Sequence, residues 1–253
     1  MRAELPRLGC LAGSAATTIA RLSSWSGNAA DTQLAYRVDV GNYLIRVQLP
    51  DRPGALGAVA SRIGSVGGDV VSIEILERQG SVVIDELGVG LPDGLIDLVE
   101  GEILEVDGVN IEHVRPLAGA MPDRYGDLLD MTRELFTRTS TSQPLRQLVG
   151  GVRRSLFASF AAVVDANTSE PVATAGTVPD LPVLQALARR TTNPSSHPLS
   201  DESGASAAAA EMVELQLVLI VARHAPILRD RERKWLAITA EIADQATRVR
   251  SGG

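Results

Sequence analysis

Residues 43–75 read YLIRVQLPDRPGALGAVASRIGSVGGDVVSIEI, and three changes of pattern within this stretch decide the fold of the N-terminal half. Tyr43 to Leu49 is short, apolar-rich and stopped by Pro50, which reads as a strand. Leu56, Val59, Ala60, Ile63 and Val66 then recur at the spacing of one helix face, and Gly67-Gly68 supplies the stop. Val71, Ile73 and Ile75 alternate, which places them on one face of a second strand.

Downstream, DVVSIEILERQGSVVIDELGVGL reads as two strands joined at Gln79-Gly80. PDGLIDLVEGEILEVDG gives a second helix opened by Pro92 and closed by Gly108, and VNIEHVRPL a fourth strand. The order is βαββαβ over about 75 residues. That is the ferredoxin-like arrangement, in which two helices cover one face of a four-stranded antiparallel sheet. The other sheet face needs a partner.

Residues 121–250 carry a second set of elements. Met121 to Gln147 is expected to be helical, with Leu128, Leu129, Met131, Leu135 and Phe136 on or near one stripe. FASFAAVVDANTSEPVATAG reads as strand, turn and strand, and PDLPVLQALARR as a short helix. NPSSHPLSDESGASAAAA reads as a long loop, EMVELQLVLIVAR as a strand, and residues 227–249 as a terminal helix. In that helix Leu228, Trp235, Ile238, Ile242 and Val249 share a stripe, read as core rather than partner surface. The fold class is therefore α+β: a flexible arm over 1–40, a ferredoxin-like domain over 41–118, and an α/β sheet domain over 122–250.

DRPGALGAVASRIGSVGGDVVSIEI resembles the ACT domain, a small-molecule sensor attached to enzymes or regulators of amino-acid metabolism. The match lies in Asp51, Pro53, Gly54 and Leu56 of the turn after the first strand, and in Gly68-Asp69-Val70 at the start of the second. Residues 121–250 resemble a GAF-like domain in element order, and the pair resembles two-domain ACT and GAF-like regulatory proteins of actinobacteria. The resemblance implies an amino-acid ligand bound by Asp51, Arg52, Pro53, Gly54, Ala55, Leu56, Asp69 and Val70, in a homodimer with the ligand between subunits.

The chemistry of these residues suits that role. A helix beginning near Pro53 offers unpaired amides and a partial positive end to a carboxylate. Gly54 lets the ligand approach the backbone. Asp51 and Asp69 can receive the ammonium through charge-assisted hydrogen bonds. The alternatives are that Asp51 caps the helix and that Asp69 merely starts a strand. Asp69 also stands where amino-acid-binding members carry Asn, so the ligand's identity stays open. Two carboxylates fall short of the six to eight oxygens that calcium takes, so no metal is expected.

Composition narrows the classes. The chain has 253 residues, a net charge of -7 and one lysine, Lys234, among 24 basic residues. That balance opposes phosphate-backbone binding, so no nucleic-acid partner is expected. The single cysteine, Cys10, excludes an intramolecular disulfide and fits a reducing, cytoplasmic setting. It lies in the arm, far from the GAF-like half, which argues against covalent chromophore attachment. No run of about 18 apolar residues occurs, so no membrane partner is expected.

His113, His197 and His224 lack metal-site spacing, GVGLPDG at 88–94 has the wrong spacing for a nucleotide loop, and the serines of 195–206 lack a nucleophile elbow. No catalytic residue and no cofactor is expected, and the chain reads as a regulatory protein rather than an enzyme. The competing expectation is a dimerisation scaffold that binds no ligand.

Overall fold

The computed structural model describes residues 40–137, 142–190, 199–200 and 205–251. The expected arm up to residue 39, with Cys10, and also His197 lie outside the described residues. The described residues belong to one unit, Asp39–Gly253.

In the N-terminal half, strands β1 (Val40–Pro50), β2 (Asp69–Gln79), β3 (Val82–Pro92) and β4 (Asn110–Leu117) form an antiparallel sheet of order β2-β3-β1-β4. Helices α1 (Ala55–Ser65) and α2 (Ile96–Leu104) complete the ferredoxin-like βαββαβ order. Alternation along β1 and β3 sends Ile45, Val47, Leu49, Leu87, Val89 and Leu91 into one core with Ala55, Val59 and Ile63 of α1 and Val99 and Ile103 of α2. Each large apolar side chain buried this way contributes about 1.5–3 kcal/mol.

In the C-terminal half, β5 (Phe160–Asp165), β6 (Pro171–Gly176), β7 (Leu199–Ser200), β8 (Ser206–Met212) and β9 (Leu217–Arg223) form a sheet of order β6-β5-β9-β8-β7. Both faces of its centre are covered. Ala161, Val163, Leu219 and Val221 pack with α3 (Arg124–Thr137), α4 (Ser142–Ser155) and α6 (Asp230–Ser251). Phe160, Ala162, Val164, Val218 and Ile220 pack with Leu184 and Ala188 of α5 (Leu181–Arg190). The α+β class and the ferredoxin-like βαββαβ order agree with the sequence, and the C-terminal half is a GAF-like sheet domain whose element order agrees in part.

Several expectations are corrected. Within the helix expected over 121–147, the described residues hold one helix over Arg124–Thr137 and another from Ser142, whose Pro144 is tolerated because it falls in the first turn. Pro92 ends β3, and α2 starts four residues later. The alanines of 207–210 lie in β8, since pairing along its whole length with β9, and of Ser206 and Ala207 with β7, overrides the low strand preference of Ala. The strand read over 211–223 is the end of β8, a turn and β9. In the terminal helix Trp235, Leu236, Ala240, Ala243 and Ala246 are buried, whereas Ile238 is 40% exposed and not core.

The second face of the N-terminal sheet is polar and meets the C-terminal half through buried ion pairs. Arg46 of β1 donates to Glu86 of β3 at 2.7 Å and to Glu232 of α6 at 3.2 Å. Glu86 also accepts from Arg124 of α3 at 2.6 Å, and Glu232 from Arg223 of β9 at 2.8 Å. Arg46, Glu232 and Arg223 are each 2–3% exposed. A second tier joins Arg229 to Glu77 and Glu112 and Arg231 to Glu74. The partner that this face requires comes from the same chain.

Candidate functional site

The expected ligand residues divide between the two ends of the N-terminal sheet. Helix α1 starts at Ala55, close to Pro53 as expected, and its N-cap is Gly54, at φ 85° and ψ -10°, with no side-chain cap. Asp51 therefore does not cap the helix. Its carboxylate accepts two hydrogen bonds from Arg78 at 2.7 and 2.8 Å, and its amide donates to Ser81 O at 2.8 Å. Arg52, Pro53 and Gly54 are exposed, Leu56 is half-buried and Ala55 is buried beneath the turn.

Asp69 does not share this site within one chain. β1 and β2 both pair antiparallel with β3 and so run parallel to each other. Asp69 is level with Asn42, both opposite Gly90, whereas Asp51 follows Pro50, which is opposite Val82. Eight or more residues of strand separate the two levels, roughly 25–30 Å at strand rise. Val70 accompanies Asp69 at the far end and packs half-buried against the core.

At the turn itself the geometry favours an anion. The amides of Leu56 and Gly57, in the first turn of α1, have no backbone or side-chain acceptor among the described residues. An added Cβ at Gly54 would meet nothing within 4 Å, so the approach is open. One acidic neighbour escaped the sequence reading. Asp85 of β3 is 2% exposed and its Oδ1 has no hydrogen-bond partner. Burial pushes its carboxyl above the usual range, partly offset by Arg78 and reinforced by Asp51. In the strand VVIDELGVGL two acids are adjacent, and alternation puts Asp85 rather than Glu86 on the side of Val83 and Leu87, the apolar face.

A second feature lies in the C-terminal half. A cavity of about 570 Å3 opens between the sheet and α5, lined by Phe160, Val178, Val183, Leu187, Ala207 and His224 among others. The Ser206 hydroxyl, also in its wall, accepts from the Leu228 amide at 3.0 Å. Arg223 lines the cavity too, but its guanidinium is committed to Leu156 O, Pro226 O, Ile227 O and Glu232.

Of the histidines, His224 is exposed at the end of β9. His113 on β4 is held below its ordinary value by burial and by Arg115, Arg46 and Arg223. No group of three or more His, Cys, Asp or Glu placed to hold a metal occurs among the described residues. No helix among them is long and apolar enough to cross a membrane.

No family model matches the chain, and no curated protein matches its sequence. Among solved structures, the chain is similar to the ACT domain from GTP pyrophosphokinase of Chlorobium tepidum, at 15% identity over 32% of this chain and 90% of that one, with a TM-score of 0.26. It is similar also to the GAF domain from Acinetobacter phosphoenolpyruvate-protein phosphotransferase, at 10% identity over 53% of this chain and 98% of that one, with a TM-score of 0.40. The fold class itself rests on the strand orders and crossovers described above: a ferredoxin-like half followed by a GAF-like half.

Proposed function

We propose that the protein is a regulatory small-molecule-binding protein, not an enzyme, that receives an amino acid at the Pro53–Leu56 turn. The open left-handed turn at Gly54, beside the unpaired amides of α1, carries this reading. A ligand carboxylate there gains both hydrogen bonds and the favourable end of the helix dipole. The regulatory reading is supported by how the buried ionisable groups are used: Glu86, Glu232, Arg46 and Arg124 are committed to one another and to backbone carbonyls. The acidic charge and the lone cysteine favour a cytoplasmic protein with neither nucleic-acid nor membrane partner.

Calorimetry of the full chain against each of the twenty amino acids is expected to find one or a few that bind in the micromolar to millimolar range, about 8 to 4 kcal/mol. Heat from none of them favours the scaffold reading instead.

The ligand-binding form is expected to be a homodimer. β2 is an edge strand, and Val71, Ile73 and Ile75 along it are 52%, 50% and 38% exposed. An apolar open edge favours pairing with another strand. Antiparallel pairing of β2 with its copy about a two-fold axis carries Asp69 of the partner subunit toward the turn that holds Asp51. Light scattering at micromolar concentration is expected to give twice the chain mass, and Ile73→Lys to give the monomer. A monomeric wild type, with and without amino acids, removes this part of the reading.

A second reading follows from the cavity of about 570 Å3, whose volume falls within the range of small-molecule sites and whose lining is mainly apolar. Ala207→Phe, which fills it, distinguishes the two readings. Amino-acid binding retained in this variant favours the turn, and binding lost with the fold intact favours the cavity.

A further inference from the structure

We propose that Asp85 takes the ammonium group of the ligand at the Pro53–Leu56 turn, an assignment that rests on the amino-acid reading above. Val83, Leu87, Val89 and Leu91 of β3 lie in the core with Ala55, Val59 and Ile63 of α1. Strand alternation puts Asp85 on that same helix-facing side, opposite Val47 of β1 and Ile75 of β2. The carboxylate thus lies in the layer between the sheet and the helix whose first turn offers the free amides. It is buried, and its Oδ1 has no partner.

A buried carboxylate without a compensating donor is costly, and native structures seldom keep one without a reason. The cation that acts on it is the Arg78 guanidinium, which is engaged twice by Asp51. The chain therefore leaves at this place an acceptor that asks for a cationic donor. The helix end alongside it asks for an anion. An α-amino acid presents a carboxylate and an ammonium on adjacent atoms and satisfies both. Asp51 is already paired, and Asp69 is at the far end of the sheet, so neither fills the ammonium role within one chain.

An acid whose folded-state pKa is raised favours the fold below its unfolded value and opposes it once pH rises through the folded one. At neutral pH Asp85→Asn, nearly the same shape, is therefore expected to raise the melting temperature of the unliganded protein while weakening the ligand response.

The test is thermal unfolding of the full chain at pH 7 with each of the twenty amino acids, and with methylammonium chloride against sodium chloride at equal ionic strength. The proteins compared are wild type, Asp85→Asn and, as a control, Glu102→Gln, whose carboxylate pairs with Arg62. The expected result is a wild type stabilised by one amino acid and, more weakly, by methylammonium. Asp85→Asn should lose at least tenfold in apparent affinity for both, and Glu102→Gln should match the wild type.

An Asp85→Asn protein that keeps full affinity overturns the assignment and leaves the amino-acid reading standing. A methylammonium response lost in Asp85→Asn, with no response to any amino acid, upholds the assignment and sinks the amino-acid reading. A wild type that responds to neither probe overturns both.

Discussion

Glu232→Ala is expected to lower the stability of the protein by about 3–5 kcal/mol, the usual consequence of removing one partner from a buried ion pair. Glu232 accepts from Arg46 at 3.2 Å, from Arg223 at 2.8 Å and from the Arg229 amide at 2.9 Å. The variant leaves two buried guanidiniums short of a counter-charge and takes a capping bond from the first turn of α6. For a protein of this size the loss corresponds to a fall in melting temperature of roughly 6–20 °C.

The pH dependence follows. Burial opposes ionisation of Glu232, but Arg223 and Arg46 outweigh it and hold the carboxyl at about 2, below the ordinary 4.5. A depressed acid stabilises the fold above its unfolded pKa and loses that contribution as pH falls through the folded one. The stability difference between wild type and Glu232→Ala, measured by urea unfolding, is therefore expected to be full above pH 5 and to shrink toward pH 2. A difference that stays constant over that range refutes the assignment of the stability to this carboxylate's charge.

The same cluster marks where sequence reading stopped. The strands of the N-terminal sheet, α1 and the Pro53-Gly54 turn were legible because their signals are local: periodicity over a few residues and glycine or proline punctuation. The pairing of Arg46 with Glu232 spans 186 positions, and no pattern within either segment names the other. What the sequence did carry was the need for a partner on the second sheet face. That need came from the ferredoxin-like arrangement, whose helices cover one face only; that Glu74 and Glu77 share the second face depends on the bulge between Ile75 and Glu77.

Asp51 and Asp69 stand at opposite ends of the sheet within one chain for a topological reason. A helix that crosses back over a sheet returns the chain to the end from which the first strand began, so the start of β2 lies far from the end of β1. Asp85 was not singled out, because Glu86 stands next to it and its lack of a partner depends on what surrounds it in three dimensions. β8 was missed because its alanines carry no strand preference of their own, and its neighbours in the sheet decide it.

Gly176→Ala is expected to cost about 2–6 kcal/mol, from two separable sources. Gly176 ends β6 opposite Phe160 at φ 85°, a conformation that opposes any side chain. An added Cβ would also stand 2.2 Å from the Ser159 carbonyl oxygen, which is backbone and cannot swing aside. That carbonyl accepts from the Thr177 amide at 3.2 Å and from Arg153 at 3.4 Å, so a shift loosens the join between β5, β6 and α4.

Gly54→Ala separates the two sources, because Gly54 has the same φ of 85° but nothing within 4 Å of the added atom. Its cost is expected to be the backbone term alone, about 1–3 kcal/mol. The excess of Gly176→Ala over Gly54→Ala in urea unfolding then measures the collision with Ser159, and equal losses in the two variants refute it. The comparison also bears on the ligand. Since Gly54→Ala carries strain of its own, a fall in amino-acid affinity in that variant counts toward the turn site only at temperatures where both proteins are fully folded, and an unchanged affinity there moves the site elsewhere.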